Sequence, residues 1–224
     1  MELKEMMTIT EMYDLSHTMA AEFLKGFSYP WEALDHIGAW IKALGETLDL
    51  NEYHHPKDDV WIHKTATVYE TASIAGPTII GANTEIRPSA FIRGNALVGE
   101  DCVIGNSTEL KNVILFDHVQ VPHYNYVGDS ILGYMSHMGA GSITSNVKSD
   151  KTPVHVKAEG IDIDTGRKKF GAMLGNYVEV GCNSVLNPGT VVCCHSNIYP
   201  LSPVRGVVPA NSIYKTGGVI VTKQ

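Results

Sequence analysis

The sequence lacks any long apolar run. A membrane-spanning helix needs about 18 or more consecutive apolar residues, and no such run occurs in the 224 residues of the chain. The opening stretch, residues 1–17, also lacks the basic flank and the apolar core of a secretion signal. These absences predict a cytoplasmic protein without a membrane partner.

Positive charge is scarce as well. The chain carries 17 Lys and Arg residues against 24 Asp and Glu residues, a formal net charge of -7, and it has no basic stripe. Nucleic acids attract proteins chiefly through basic surfaces that neutralise their phosphates. We therefore expect no nucleic-acid partner, and any phosphate that binds must be held by a few local cations.

Cysteine is rare too, and no pair has the CxxC spacing that nucleates a zinc site. The four residues are Cys102, Cys182, Cys193 and Cys194. Disulfides are uncommon in the cytoplasm, where a small thiol usually fills interior space. We therefore predict no disulfide framework, no metal cofactor, and cysteines that act as interior fillers.

What the sequence does contain is a six-residue repeat. An aliphatic residue recurs at every sixth position: Ile62, Val68, Ile74, Ile80, Ile86, Ile92, Val98 and Ile104. Four positions after each stands a small residue: Ala66, Ala72, Thr78, Thr84, Ala90, Ala96, Cys102 and Thr108. The pattern resumes over residues 132–142 and 174–198, which predicts two interruptions, near residues 110–125 and 147–170.

A period of six fits neither the 3.6-residue turn of a helix nor the alternation of a single strand. It fits a solenoid in which each hexad is one short strand and consecutive strands meet at tight corners. The aliphatic residue would fill the interior, and the small residue would lie where two faces meet. The repeat therefore predicts an all-β solenoid.

Residues 1–58 lack the repeat and carry helical signals instead. The stretch 8–27 begins with a Thr-x-x-Glu capping box and has apolar residues at helical spacing. A second apolar stripe follows Pro30, which suits the first turn of a helix. We predict two helices in a cap of residues 1–58 over the first coil, followed by a β-helix domain of residues 59–224.

The two-position hexad resembles the hexapeptide-repeat acyltransferases. That resemblance implies a left-handed parallel β-helix with three hexads in each coil, and a homotrimer with active sites between subunits. Within the repeat, residues 86–195 closely resemble the acetyltransferase domain of the bifunctional N-acetylglucosamine-1-phosphate uridyltransferase/glucosamine-1-phosphate N-acetyltransferase family. The motifs that carry this resemblance are ELK at 109–111, HYNYVGDS at 123–130, MGAGSITSN at 138–146 and LGNYVEVGC at 174–182.

The resemblance implies an enzyme of UDP-N-acetylglucosamine biosynthesis. It would be an N-acetyltransferase with acetyl-CoA as co-substrate and an amino sugar phosphate, such as glucosamine 1-phosphate, as acceptor. The family's general base falls on His123, and Asn146 falls near the acetyl group. The acceptor-binding residues would be Arg93, Lys111, Tyr126, His137 and Lys169. The cofactor-binding residues would be Ala140, Val147, Cys182 and Arg205. Glu109 is a candidate for the group that orients the base.

Spacing adds to this assignment. Arg93 and Lys111 are 18 residues apart, which is one coil if a coil holds three hexads. We therefore expect them to stack on one face as a cationic pair that holds a phosphate. The attacking amine must be neutral, and a histidine that titrates near neutral pH can accept its proton as the new bond forms.

The chain also departs from the family. His137 replaces an asparagine that contacts the sugar, Cys182 replaces a serine, and Val147 replaces an aromatic residue. These changes leave the reaction class standing and the exact sugar open. Residues 1–60 lack the signature of the family's nucleotidyltransferase domain, so uridyl transfer is not expected. Residues 29–41 resemble the linker helix that usually follows that domain.

Three alternatives remain open. The γ-class carbonic anhydrases share the prism and bind zinc through three histidines, two of which match His118 and His123. Residues 80–88 contain no histidine that could be the third. A β-helix can also serve as a non-catalytic regulatory or scaffold subunit. The third alternative is acyl transfer to another acceptor, such as a nucleotide-linked amino sugar.

Overall fold

The computed structural model describes residues 2–223. Three short α-helices lie in the N-terminal part of the chain: α1 Ile9–Met12, α2 Ala21–Leu24 and α3 Ile37–Gly45. Four segments are 3-10 helical: Glu5–Met7, Leu15–His17, Pro30–Asp35 and Thr216–Gly218. Among residues 2–223, no helix has the length and apolar character needed to cross a membrane.

Short strands make up most of the remaining chain. They are β1 Tyr53–Lys57, β2 Val60–His63, β3 Thr67–Val68, β4 Ser73–Ile74, β5 Thr78–Ile80, β6 Glu85–Ile86, β7 Phe91–Ile92, β8 Ala96–Val98, β9 Val103–Asn106, β10 Glu109–Leu115, β11 Gln120–His123, β12 Tyr126–Leu132, β13 His137–Met138, β14 Ile143–Thr144, β15 Val154–Ala158, β16 Ile161–Arg167, β17 Ala172–Leu174, β18 Glu179–Val180, β19 Val185–Leu186, β20 Thr190–Val192, β21 Asn197–Ile198, β22 Pro203–Val204, β23 Val207–Val208, β24 Ser212–Tyr214 and β25 Ile220–Thr222. Strands this short depend on pairing with the coils on either side.

The strands stack in parallel columns that form the three faces of a prism. Face A holds β2, β5, β8, the second half of β10, the second half of β12, β17, β20 and β23. Face B holds β3, β6, β9, β11, β13, β18, β21 and β24. Face C holds β4, β7, the first halves of β10 and β12, β14, β19 and β22. This confirms the predicted fold class, a left-handed parallel β-helix of hexapeptide repeats.

The two repeat positions have the roles that the hexad predicts. The aliphatic residues form a fully buried interior, as in Ile80, Ile86, Ile92, Val98 and Ile104. From Thr78 onward the small residues are buried beside the corners, where the hydroxyls of the threonines bond corner carbonyls; Thr84 Oγ1 donates to the Gly99 carbonyl at 2.7 Å. Val68 is an exception at 37% exposure, because it belongs to the first coil, which has no coil below it.

Tight corners require left-handed backbone. At the corner between faces C and A, here corner CA, Asn95, Asn112 and Asp129 have φ of 49°, 55° and 48°. Asn and Asp accept this conformation more readily than most residues. The corner between faces A and B, corner AB, includes His118 with φ of 60°. The corner between faces B and C, corner BC, includes Tyr124 with φ of 52°.

The coil does not break near residues 110–125. Ala96 pairs with Val113, and Val113 pairs with Ser130, so these two coils advance by 17 residues instead of 18. The first predicted interruption is therefore wrong. The chain omits one residue in each of these coils, which shifts the phase of the hexads while the solenoid continues.

The interruption at 147–170 is present as an insertion. Its strands β15 and β16 form an antiparallel hairpin. Arg167 anchors the hairpin to the N-terminal segment through Asp35, with an NH2–Oδ1 distance of 2.6 Å. Phe170, which is fully buried, packs its ring 5.8 Å from that of Trp31. The insertion is thus joined both to the prism and to the residues that precede it.

The first predicted helix is not formed. Its stretch divides into α1, a 3-10 turn and α2, and the Thr8 side chain makes no capping hydrogen bond. Backbone amides at the prism corners bond main-chain carbonyls of this stretch. The Asn176 amide donates to the Met12 carbonyl, and the Asp117 amide donates to the His17 carbonyl, both at 3.1 Å. Carbonyls that bond the prism are not available to extend a helix.

The N-terminal segment, residues 2–52, lies along face A rather than over the first coil. The outer residues of the face A strands are apolar and fully buried: Ile79, Leu97, Ile114, Ile131, Met173 and Val191. The second predicted helix is present in part: Pro30–Asp35 is a 3-10 helix, and only Ile37–Gly45 is the α-helix α3, which packs on β5, β8 and β10. The predicted position of the cap is therefore wrong, because face A offers the larger apolar surface. The domain boundary at residue 58 stays a prediction.

The four cysteines are free thiols in different surroundings. Cys102 and Cys193 are buried as predicted, and burial raises the pKa of the Cys193 thiol to about 12. Cys194 is half-buried, and its thiol donates to the Met12 carbonyl at 3.1 Å. Cys182 is exposed at corner BC, so the interior-filler prediction is wrong for this residue.

Phe116 tests the contact between face A and its cover. It is fully buried, and its ring centroid lies 5.0 Å from that of Tyr13. We expect Phe116→Ala to lower the free energy of unfolding by about 3–5 kcal/mol, because it opens a cavity at this contact. Phe91→Ala makes the same chemical change at an exposed site and should cost less than about 1 kcal/mol. Equal losses in urea unfolding would contradict this account of the packing.

Candidate active site

A buried carboxylate lies at the centre of the polar groups on corner CA. Asp129 is only 3% exposed. The Lys111 ammonium donates to both of its oxygens at 3.0 Å. The Asn112 side-chain amide donates to Oδ1 at 2.9 Å, and that of Asn146 donates to Oδ2 at 2.6 Å. A buried charge needs such partners, since an unpaired one would carry a large desolvation cost.

Strand register explains why these groups meet. Lys111 pairs with Gly128, and Tyr126 pairs with Ile143, so Asn112, Asp129 and Asn146 follow at the same corner in three consecutive coils. Each is 17 residues from the next. Neighbouring coils lie about 4.8 Å apart, which is a distance that two short polar side chains can bridge. The column is therefore a direct result of the shortened coils.

Tyr126 and Asn146 form one hydrogen-bonded unit. The Asn146 amide donates to the Tyr126 hydroxyl at 3.2 Å as well as to Asp129. The Tyr126 hydroxyl lies over Gly128, where a Cβ would come within 2.4 Å of it. Burial raises the pKa of the Tyr126 phenol, and the nearby Asp129 carboxylate raises it further. With its NH2 group engaged, Asn146 presents its side-chain oxygen as the free acceptor.

The two predicted cations stack as expected, and each has a carboxylate partner. The Arg93 amide donates to the Leu110 carbonyl, which places Arg93 beside Lys111 in the next coil. Arg93 pairs with Glu109 at 2.7 Å, and this hydrogen bond raises the pKa of the guanidinium. Lys111 pairs with Asp129. Glu109 thus bonds Arg93 rather than orienting His123.

His123 lies at corner BC, the other edge of face C. It is exposed, and its amide donates to the Asn125 side chain at 3.0 Å. Among residues 2–223, no side-chain hydrogen-bond partner of its ring is found. The Gly141 amide donates to the His123 carbonyl, and the Asn183 amide donates to the Ala140 carbonyl. His123, Ala140 and Cys182 therefore form one column along corner BC.

The other predicted residues lie in different places. His137 is on face B, where its Nδ1 lies 2.8 Å from the Glu179 carboxylate. Val147 is 42% exposed beside Asn146. Lys169 is exposed in the last turn of the insertion, directly before Phe170. The structure thus brings Arg93, Lys111, Tyr126 and Asn146 together at one edge of face C, and His123, Ala140 and Cys182 at the other.

Arg205 lies apart from both groups. It lines a pocket of about 410 Å3 between the insertion and the last coils. Lys148, His155 and Lys157 of the insertion line the same pocket. Asp162 pairs with His155 at 2.6 Å and with Lys157 at 3.3 Å, so part of this positive charge is offset. The pocket remains a place where several cations can face one anion.

Sequence reasoning missed Asp129 and Glu179. The signal for Asp129 was its spacing of 17 residues from both Asn112 and Asn146, which has meaning only once the coil length is known. Glu179 lies 42 residues after His137, because the insertion separates two coils that pair directly. No period in the sequence predicts that contact.

Histidines and acids do not cluster as a metal site would. Within residues 2–223, no group of three or more His, Cys, Asp or Glu side chains is placed to hold a metal ion. His118 lies at corner AB, with Nε2 3.8 Å from Asp101. In one chain it is thus separated from His123 by the width of face B.

Asp129→Ala tests the buried carboxylate. We expect it to lower the free energy of unfolding by about 3 kcal/mol, because the Lys111 ammonium and two amides lose their common partner. Asp101→Ala is the matched control: Asp101 also has left-handed φ, 52° against 48°, but its carboxylate is exposed at corner AB. The backbone cost of alanine is therefore common to both variants. Equal urea midpoints for the two would contradict a stabilising role of the Asp129 network.

The sequence is similar to a known family and to several curated proteins. Residues 74–201 match the family described as GMPPB C-terminal domain. A bifunctional sugar-1-phosphate nucleotidylyltransferase/acetyltransferase from Sulfurisphaera tokodaii is 31% identical over 192 residues, 83% of this chain and 47% of that protein. A bifunctional protein GlmU from Methanococcus maripaludis is 34% identical over 122 residues, 54% of this chain and 29% of that protein. The chain thus spans half or less of these curated relatives.

Solved structures are more distant. A hexapeptide transferase family protein from Anaplasma phagocytophilum superposes with a TM-score of 0.49 at 17% identity, covering 74% of this chain and 79% of that one. This likeness is too remote to bear on function. The family match is different, since it extends over more than half of the residues. The chain therefore belongs to the GMPPB C-terminal domain family, and its resemblance to the acetyltransferase domain of the GlmU-like bifunctional proteins is confirmed.

Proposed function

We propose that the protein is a hexapeptide-repeat acyltransferase that moves an acetyl group from acetyl-CoA to the amine of an amino sugar phosphate such as glucosamine 1-phosphate. The observation that carries the proposal is the arrangement around face C. An exposed histidine stands at corner BC, and a lysine, an amide and a phenol converge at corner CA. A sugar lying on face C would have cations for its phosphate and a base for its amine.

The proposed reaction needs one proton acceptor. The amine nitrogen attacks the thioester carbonyl carbon while His123 accepts a proton from it, and the amide bond forms. The carbon–sulfur bond then breaks, and the CoA sulfur leaves with the bonding electrons and takes up a proton. His123 can serve as this base because its ring is exposed and no described side chain occupies its nitrogens.

Arg93 and Lys111 would bind the phosphate in different ways. Lys111 is held by the buried Asp129 carboxylate and keeps its place. The Arg93 side chain is 46% exposed, and its partner Glu109 is also at the surface, so Arg93 can turn from Glu109 to a phosphate. A guanidinium binds phosphate through two parallel hydrogen bonds. Glu109, once released, becomes free to orient His123.

Acetyl-CoA would lie along corner BC. Ala140 stacks on His123 in this column, and its small side chain leaves the main chain accessible to an extended ligand. The cationic pocket around Arg205 lies at corner CA, so in a trimer we propose that the pocket of an adjacent subunit receives the phosphates of the CoA nucleotide. These two features fit the two ends of the donor: a slender thioester arm and a strongly anionic head.

The active unit is proposed to be a homotrimer. Tyr124 is 66% exposed and Leu201 is 75% exposed, both at corner BC, and Tyr199 is 43% exposed nearby. Large apolar side chains exposed along one edge are typical of surfaces that bind another protein. Packing of a second copy against corner BC would cover these residues and add its own groups beside His123. The site would then be completed between subunits.

Acetyl transfer can be measured by the release of CoA thiol with acetyl-CoA and a panel of amino sugars and their phosphates. We expect turnover with at least one amino sugar phosphate. His123→Ala should lower kcat about 100- to 10,000-fold, which is the usual contribution of a general base. His118→Ala removes the same ring at corner AB and should leave kcat unchanged. If no amino sugar phosphate is acetylated, or if His123→Ala is fully active, the proposal is wrong.

Arg205 tests the placement of the donor. We expect Arg205→Ala to raise the KM for acetyl-CoA about tenfold, the loss of roughly one charge-assisted hydrogen bond, with kcat and the KM for the acceptor unchanged. Arg87→Ala is a control on the second coil, where the guanidinium pairs with Glu85. A rise in the KM for the acceptor instead would assign the Arg205 pocket to the sugar phosphate.

A further inference from the structure

We propose that the N-terminal segment takes part in the active site: Asp35, acting through Arg167, is a positioning residue that directs Lys169 toward the phosphate of the acceptor. Residues 167–170, here called the insertion turn, connect the hairpin of the insertion to the next coil of the prism. This inference rests on the proposed function, because it concerns how the acceptor of that reaction is held.

The ion pair between Asp35 and Arg167 joins two elements that are far apart in the sequence. Nη1 and Nη2 of Arg167 donate to the two oxygens of Asp35 at 2.5 and 2.6 Å. A two-point contact of this kind fixes the orientation of the guanidinium as well as its position. The Arg167 side chain is only 10% exposed, whereas that of Asp35 is 72% exposed. Asp35 therefore supplies, from the surface, the countercharge of a largely buried cation.

Arg167 also bonds the main chain of the insertion turn. Its Nε donates to the Lys169 carbonyl at 3.4 Å. Without Asp35, the guanidinium would lack a countercharge at a site with little access to water, which carries a desolvation cost. The side chain would lower that cost by turning out to solvent, and the contact with the Lys169 carbonyl would be lost. The position of Lys169 therefore depends on Asp35.

The insertion turn leads directly to the polar groups of corner CA. The Gly171 amide, which follows the turn, donates to the Asp129 carbonyl at 2.8 Å. Two residues of extended chain span at most about 7 Å, so the main chain of Lys169 lies close to the coil that holds Lys111. A lysine has a flexible four-carbon side chain that can cover such a distance. A phosphate bound by Lys111 is therefore within reach of Lys169.

The 3-10 helix Pro30–Asp35 is itself fixed to corner CA. Its Leu34 carbonyl accepts a hydrogen bond from the Asn112 side-chain amide at 3.1 Å. The same amide nitrogen donates to Oδ1 of Asp129 at 2.9 Å. Asp35 is the next residue of this helix, so its carboxylate has a defined position relative to the corner. The ion pair with Arg167 therefore holds the insertion turn at a set distance from corner CA.

The three consecutive cations of the turn differ in their availability to a ligand. Arg167 is paired with Asp35 and largely buried, while Lys168 and Lys169 are exposed. The guanidinium thus has its donors engaged in holding the turn. The ammonium of Lys169 is at the surface, where an anion can approach it. This division of roles distinguishes positioning by Arg167 from direct binding by Lys169.

Asp35→Ala, Arg167→Ala and Lys169→Ala are the principal variants, in steady-state assays with the full chain. We expect each to raise the KM for the amino sugar phosphate about three- to tenfold, because each loses the same charge-assisted contact. The kcat and the KM for acetyl-CoA should stay within about twofold, since the phosphate is bound equally before and during the reaction. Asp35→Glu should keep the wild-type KM, because an exposed carboxylate can still pair with Arg167.

The double variant Asp35→Ala/Lys169→Ala separates positioning from general stabilisation. Its KM for the acceptor should equal that of Lys169→Ala alone, because Asp35 acts through the turn that carries Lys169. An ion pair that only stabilised the fold would add an effect of its own. Lys42→Ala is the matched control: it removes a pair between the same segment and Asp59, which directly precedes β2. Its kinetic constants should equal those of the wild type.

Trypsin tests the restraint on the insertion turn without any assay of activity. Asp35→Ala has the same Lys and Arg residues as the wild type, so any difference in cleavage reports the mobility of the chain. We expect faster cleavage after Lys168 or Lys169 in Asp35→Ala. Equal cleavage rates would contradict the restraint, whatever the kinetic constants are.

Failure of this inference can be told apart from failure of the proposed function. If the wild type acetylates no amino sugar phosphate, the proposed function is wrong. If the wild type is active and Asp35→Ala, folded by circular dichroism and thermal melting, has an unchanged acceptor KM, the positioning role is wrong. A lower acceptor KM in Asp35→Ala would identify Arg167 as a direct phosphate ligand that Asp35 blocks, and this result would also overturn the inference.

Discussion

The stacking register between coils is the constraint on which the rest of the structure depends. Most strands are two or three residues long, and they persist only because each bonds the coil on either side. Register therefore fixes the neighbours of every residue: interior aliphatics meet aliphatics, and left-handed corners stack on left-handed corners. A change in coil length must be absorbed at a corner, because a slip along a strand would turn its apolar side chains outward.

Face A has a second apolar surface on its outer side, in addition to the prism interior. Its strands are buried on both sides, whereas strands of faces B and C are buried on one. The residue before the interior aliphatic is apolar in each of its coils, as in Ile79, Leu97 and Ile114. Such a surface has to be covered, and the N-terminal segment covers it. The segment bonds the prism with its own main chain, so its geometry follows the corners rather than a helical repeat.

The sequence predicts those features that recur in every coil. The hexads predict the solenoid because each coil meets the same steric demand, and the stacking of Arg93 beside Lys111 follows from one regular coil. The cover of face A could also have been predicted, from the second apolar position in its strands. Contacts between coils that are separated by an irregular number of residues could not have been predicted. Asp129 and Asn146 are 17 residues apart, and an insertion separates His137 from Glu179 in the sequence. Neither contact therefore follows the six-residue period.

At corner CA, the proposed functional role of Asp129 can be separated from a structural role. Asn95 occupies this corner in an earlier coil, and Gly189 and Gly206 take left-handed backbone there in later coils. The fold therefore does not require a carboxylate at position 129. A buried ion pair contributes little net stability compared with apolar packing, so stability alone does not account for Asp129. Its carboxylate does fix the ammonium of Lys111 and the amide of Asn146 at one edge of face C. That is the arrangement a site needs when its polar groups must be in place before the substrate arrives.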